Sequence, residues 1–236
     1  MKNFNFKNVL GLLILPLLIL FSMSGHAFAT DYNSFASDEA IDRWLMANSK
    51  TYEGFAQSIR QRPGMHGYRF VRKGDIAMGM LAAMSDGCLE VQLHPGLKGA
   101  LLVNTISFEM ANGYLNDIHQ QIDKLLHMGQ IKSKEEFALA HEIYEYEALR
   151  LHRQVLIELA ASIKEPLPPD FYYFVSPKPQ TIADYQIPQL SHYIEAQKAS
   201  GHTAHYYKEY DRQLKMQDKK PAMREAEPQH RRRKGC

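Results

Sequence analysis

The feature that most constrains this chain is a stretch of thirty residues, Lys134 to Ile163, that reads as one unbroken helix. Ser133-Lys134-Glu135-Glu136 opens it as a capping box, in which serine and glutamate side chains answer amides that the first turn leaves without partners. Phe137, Tyr144, Ala148, Leu151, Val155 and Leu159 recur at helical steps and form one apolar stripe. Pro166, Pro168 and Pro169 stop it, because proline has no amide to donate and collides with the preceding turn. A helix of that length runs about 45 Å, so the remaining elements must be arranged along a rod.

A second long helix is expected from about Leu101 to Met128, with Phe108, Ala111, Leu115, Ile118, Ile122 and Leu125 on its face and Gly129 closing it. Upstream, Ser37 caps a helix that continues or restarts through Tyr52, Phe55 and Ile59 until Pro63-Gly64. Between these lie three short apolar runs, Tyr68–Val71, Ile76–Met84 and Cys88–Leu93, with Asp86-Gly87 marking a hairpin. The alternation within Cys88–Leu93 predicts a half-buried strand. The fold class is therefore α+β, a short antiparallel sheet or hairpin packed on two long helices. Downstream, residues 166–190 form a proline-rich wrapping segment whose Phe171, Tyr172, Tyr173 and Phe174 pack along the body. Helical stretches follow at Ser191–Ala199 and Ala204–Met216, separated by Ser200-Gly201-His202-Thr203.

Charge and composition set the compartment. Residues 1–29 hold Lys2 and Lys7, an apolar run of 13 residues, and Ala27-Phe28-Ala29. That is the form of a cleavable signal peptide, and the run is short of the ~20 residues a spanning helix needs. The expected organisation is a leader at 1–29, an N-terminal helical segment at 30–66, an α+β domain at 67–216 and a basic, disordered tail at 217–236. The mature chain is expected in the periplasm or outside the cell. The overall charge of +2 conceals a division: 16 Lys and Arg against 21 Asp and Glu over residues 30–200, and ten against five over 201–236. Arg231–Lys234 offers a contact for anionic surfaces, and without interleaved aromatics it gives no sign of specific nucleic-acid binding. Two cysteines, Cys88 and Cys236, exclude a disulfide scaffold, and a bond between them is left open. Cys88 reads as a small buried hydrophobe rather than a nucleophile. No nucleophile elbow, phosphate loop, dinucleotide fingerprint or calcium loop occurs. The oligomeric state is not legible.

The informative anomaly is polar. His141, Glu145 and His152 fall within about 40° of one another on the stripe of the thirty-residue helix that should face the core. Burying them unpaired is costly, so they must bond to one another, line a cleft or hold an ion. Two imidazoles and a carboxylate suit a zinc-type ion, although His152 lies about 10 Å along the axis from Glu145. A buried polar network locking the two long helices is the other reading. Glu109, Asn112, Asn116 and Gln120 form a matching stripe on the preceding helix, where a solvated face has the same spacing. One acid among carboxamides is unlike the lysine and glutamate mixture of exposed faces. His202 sits at a helix break, placed to reach a cleft or merely to cap.

The order of strand, loop, a helix with Phe108-Glu109-Met110-Ala111-Asn112, and a helix with Tyr144-Glu145-Tyr146-Glu147, followed by Ser200-Gly201-His202-Thr203, is similar to the zincin-like metallopeptidases, and to the metallopeptidase-like domain of bacterial secreted and toxin-like chains. The resemblance covers roughly Tyr68 to Tyr210. It implies a zincin-like architecture and a hydrolase acting on a peptide or protein substrate, with Glu109 activating water and Asn112 polarising. Phe108 and Asn112 stand where the family's His-Glu-x-x-His has its ligands, so zinc would have to be held by His141, Glu145, His152 or His202. The competing expectation is a secreted interaction protein in which these residues only stitch helices together.

Overall fold

The computed structural model describes residues 30–223 except 77, 84–85 and 174–178. The expectations for the leader at 1–29, for Phe174 and for residues 224–236 lie outside the described residues. All the elements belong to the unit that begins at Asp31.

The centre of the molecule is a helix, α3 (Gly99–Tyr114), in which every residue from Leu102 to Gly113 is buried. Its sequence lacks charge apart from Glu109, and its other polar residues are small, so neighbours can close on every side. Helices α2 (Lys50–Gln61) and α5 (Lys134–Ile163), the sheet and a 3-10 turn at Pro169–Tyr172 all pack against it. α1 (Asp38–Asn48) precedes α2, and Ser37 and Ser49 cap the two by accepting from Ala40 N and Tyr52 N.

The expected helix from Leu101 to Met128 is two helices. α3 ends at Tyr114, Leu115 turns at φ −86° and ψ 4°, and α4 (Asn116–His127) follows. Arg62 explains the break. Its guanidinium donates to the carbonyls of Gly113 (3.1 Å) and Tyr114 (2.8 Å) and pairs with Asp117 (3.1 Å), replacing the bonds a continuing helix would have made. The buried face shifts at the same point: Phe108 and Ala111 are buried around α3 and Ile118 is 45% exposed, while Ile122 and Leu126 turn into a second core.

Three strands, β1 (Gly67–Arg72), β2 (Gly79–Ala83) and β3 (Cys88–Leu93), form a sheet in the order β1-β3-β2. The hairpin is present: β2 and β3 are antiparallel, from Gly79 opposite Leu93 to Ala83 opposite Leu89. Gly87, at φ 80°, supplies the left-handed turn residue, and Asp86 Oδ1 accepts from Cys88 N. The sheet is mixed rather than antiparallel, because β1 runs parallel to β3. β3 is also buried on both faces, not half-buried. Its polar side chains are internally paired: Glu90 takes both Nε and Nη2 of Arg69 and accepts from Gln92 Nε2.

α5 spans the residues expected of it, with Ser133 Oγ accepting from Glu136 N. Glu158 joins it to the start of α2, accepting from Ser49 Oγ, Thr51 N and Thr51 Oγ1. Within the proline-rich segment Phe171, Tyr172 and Tyr185 are buried, whereas Tyr173 is exposed. Its carbonyls anchor on α5: Arg153 Nε donates to Tyr185 O and Tyr146 Oη to Pro188 O. α6 (Leu190–Ser200) and α7 (His202–Met223) complete the fold, and α7 remains helical through residues 217–223, where a tail was expected. One core lies around α3, and a second, built on Ile122, Leu126, Phe137, Tyr144 and Tyr206, joins α4, α5 and α7. No described helix is long and apolar enough to cross a membrane.

Candidate functional site

Glu109 and Asn112 are three residues apart on α3 and so share a face. The Asn112 amide, Nδ2, stands 3.5 Å from Glu109 Oε2 and 3.3 Å from Glu145 Oε2 on α5, so one carboxamide bridges two carboxylates. The stripe on which both α3 residues lie is not a solvated face: Glu109, Asn112 and Asn116 are buried, and only Gln120 is exposed.

Surrounding side chains fix this arrangement. Tyr206 Oη on α7 donates to Glu145 Oε1 at 3.0 Å, and Tyr144 Oη donates to the Asn112 carbonyl at 2.8 Å. Gly79 of β2 forms the opposite wall. A β-carbon there would stand 2.5 Å from Glu109 Oε1 and 2.9 Å from Thr105 Cγ2, so the strand approaches this closely only with glycine. Beside the pair, Glu142 is fully buried, accepts from Thr203 Oγ1 at 2.8 Å, and faces His202 Nδ1 at 3.2 Å.

The electrostatics follow from burial. Burial, reinforced by the negative charge of Glu145, pushes Glu109 up to about 8 against the weak bond from Asn112. Burial also raises Glu145, opposed by His202 and by hydrogen bonds from Tyr206 and Asn112. His202 is raised by its hydrogen bond to Glu142. At neutral pH the centre therefore carries a proton on Glu109.

The expected residues separate into groups. Glu109, Asn112 and Glu145 come together. His202 is the first residue of α7, not part of a loop, and its partner is Glu142. His141, one turn before Glu145 on α5, is stacked on Tyr206 with ring centres 4.6 Å apart, and His152 meets the ring of Phe108 edge-on at 5.7 Å. Burial drives both imidazoles down to about 3, which keeps them neutral. The four residues expected to hold zinc do not converge, and among the described residues no group of three or more His, Cys, Asp or Glu is set to hold a metal ion. Cys88 is buried at the start of β3, and no free cysteine stands among the described residues.

Sequence reasoning missed Glu142, Thr203, Tyr206 and Gly79. The Glu142-x-x-Glu145 spacing on a mostly apolar helix was the available signal. The other three become visible only when α7 and β2 are known to cover that side of α5 and α3. Comparison with protein-family models, with curated proteins and with solved structures finds no match to this chain.

Proposed function

We propose that the chain is an exported hydrolase acting on peptide or protein substrates, with Glu109 as the group that moves the proton. The observation that carries this reading is a buried carboxyl held near 8 by burial and by a second carboxylate bridged to it through Asn112. A carboxyl poised close to working pH is what general acid–base catalysis requires. Ionised Glu109 takes a proton from water as the water oxygen bonds to the substrate carbonyl carbon. It then returns that proton to the leaving amine as the C–N bond breaks. Asn112 Nδ2, loosely held at 3.3 to 3.5 Å by both carboxylates, is the donor available to polarise the carbonyl. β2 is an edge strand beside Glu109, the setting in which an extended peptide can add a strand.

The zincin-like architecture belongs to the same proposal. It draws support from a glutamate-bearing helix lying directly beside an edge strand. Zinc, if held, would polarise the carbonyl, yet the expected ligands stand apart and the proton transfers above need only Glu109. Export rests on the form of residues 1–29, and contact of the basic tail with anionic surfaces rests on Arg231–Lys234.

A second reading has its own support, since the same hydrogen bonds tie α3, α5 and α7 together as a structural stitch. The experiment is hydrolysis of a mixed peptide library by the purified protein and by Glu109→Gln and Glu145→Gln. Glu109→Gln should lower kcat/KM by at least about a hundredfold. The wild-type rate should rise with pH through an inflection near 8, and Glu145→Gln should move that inflection down by removing the neighbouring charge. A wild-type protein that cleaves nothing in the library leaves the stitch as the function of these residues.

A further inference from the structure

A second cluster of ionisable side chains lies on the other side of Tyr206, where α4, α5 and α7 meet. His119 and Asp123 are four residues apart on α4 and project from the same face. His141 reaches the same point from α5. Its ring is 1% exposed, and neither Nδ1 nor Nε2 has a hydrogen-bond partner. Both Nε2 atoms are directed at one carboxylate: His119 Nε2 is 3.7 Å from Asp123 Oδ2, and His141 Nε2 is 3.9 Å from Asp123 Oδ1. The two rings are 4.8 Å apart and inclined at 64°. Gln213 of α7 donates to Asp123 Oδ1 at 2.8 Å and fixes the carboxylate from the far side.

These distances are too long for hydrogen bonds. They are close to the separation of about 3.4 Å between two ligands of one tetrahedral ion with bonds near 2.1 Å. To share one ion with the carboxylate, each imidazole nitrogen would draw a few tenths of an ångström closer to its Asp123 oxygen. The side chains of His119 and Asp123 are 40% and 29% exposed, so they can close that gap and admit an ion from solvent. His141, held rigid in the core, is the fixed ligand. An ion at this point would give the buried His141 Nε2 the partner it otherwise lacks.

We infer that His119, Asp123 and His141 form a binding site for a zinc-type divalent cation that clips α4 onto α5 and α7. Two imidazoles and one carboxylate select such an ion over magnesium or calcium, which prefer oxygen ligands. The site is separate from the Glu109 centre and stands whether or not that centre is catalytic.

The test is calorimetric titration of the purified, chelator-stripped protein with zinc chloride and, separately, magnesium chloride. Each sample is also melted with and without zinc. The expected result is one zinc per chain, a raised Tm and no response to magnesium. His119→Ala and Asp123→Asn, both on the exposed side, should each weaken zinc binding by at least about tenfold. Glu145→Gln should leave it unchanged. The inference is overturned if wild-type protein takes up no zinc at about 100 μM. It is equally overturned if both α4 variants bind as wild type does, or if Glu145→Gln abolishes binding.

Discussion

At the scale of single residues, the proton on Glu109 has a consequence for stability that does not depend on catalysis. The unfolded chain releases this proton near 4.5 and the folded chain near 8, so the folded state holds the proton more tightly. Stability therefore falls as pH rises through that window and levels off above it. Glu109→Gln, which mimics the protonated form, should flatten the slope while folding normally. Urea denaturation midpoints at about pH 5 and about pH 8 measure this, and an unchanged slope in the variant would place the proton elsewhere. Three of the residues in this centre were legible in the sequence: Glu145 because it interrupts an apolar stripe, and Glu109 and Asn112 because one acid among carboxamides is unlike an exposed face. Glu142 was not, since it lies off the stripe of α5 and its burial depends on Thr203 and His202 of α7 covering that flank.

Among the elements, β2 and α3 set how much room the centre has. Gly79→Ala places a methyl group 2.5 Å from Glu109 Oε1 and 2.8 Å from its Cγ, so either the carboxylate or the strand must move. Overpacking of this kind costs about 1–3 kcal/mol. The variant should remain folded with a lowered Tm and lose any activity that Glu109 supports. Retention of full activity at wild-type Tm would mean that β2 does not define the wall. The break between α3 and α4 shows where sequence periodicity misleads. Phe108 to Leu125 keep helical spacing across Leu115, and nothing local marks an end. The cause is Arg62, more than fifty residues earlier, whose guanidinium takes the Gly113 and Tyr114 carbonyls. α5, by contrast, carries its own cap and its own proline stop, and its limits were readable to the residue.

For the molecule as a whole, α7 is required by charges it does not carry. Thr203 and His202 answer the fully buried Glu142, and Tyr206 answers Glu145. A chain ending at Ser200 would strip the cover from Glu142 and Glu145 and expose the apolar side chains of the second core to water. Such a truncation should melt without a cooperative transition in circular dichroism, and cooperative melting at wild-type Tm would show that α7 is dispensable. The sheet carries a different consequence, for the order in which the chain can assemble. β3 is the last strand in sequence and the middle strand in space, and both of its neighbours pair only with it. Neither β1 nor β2 therefore has a ladder to join until Cys88–Leu93 lies between them, so a single strand closes both seams.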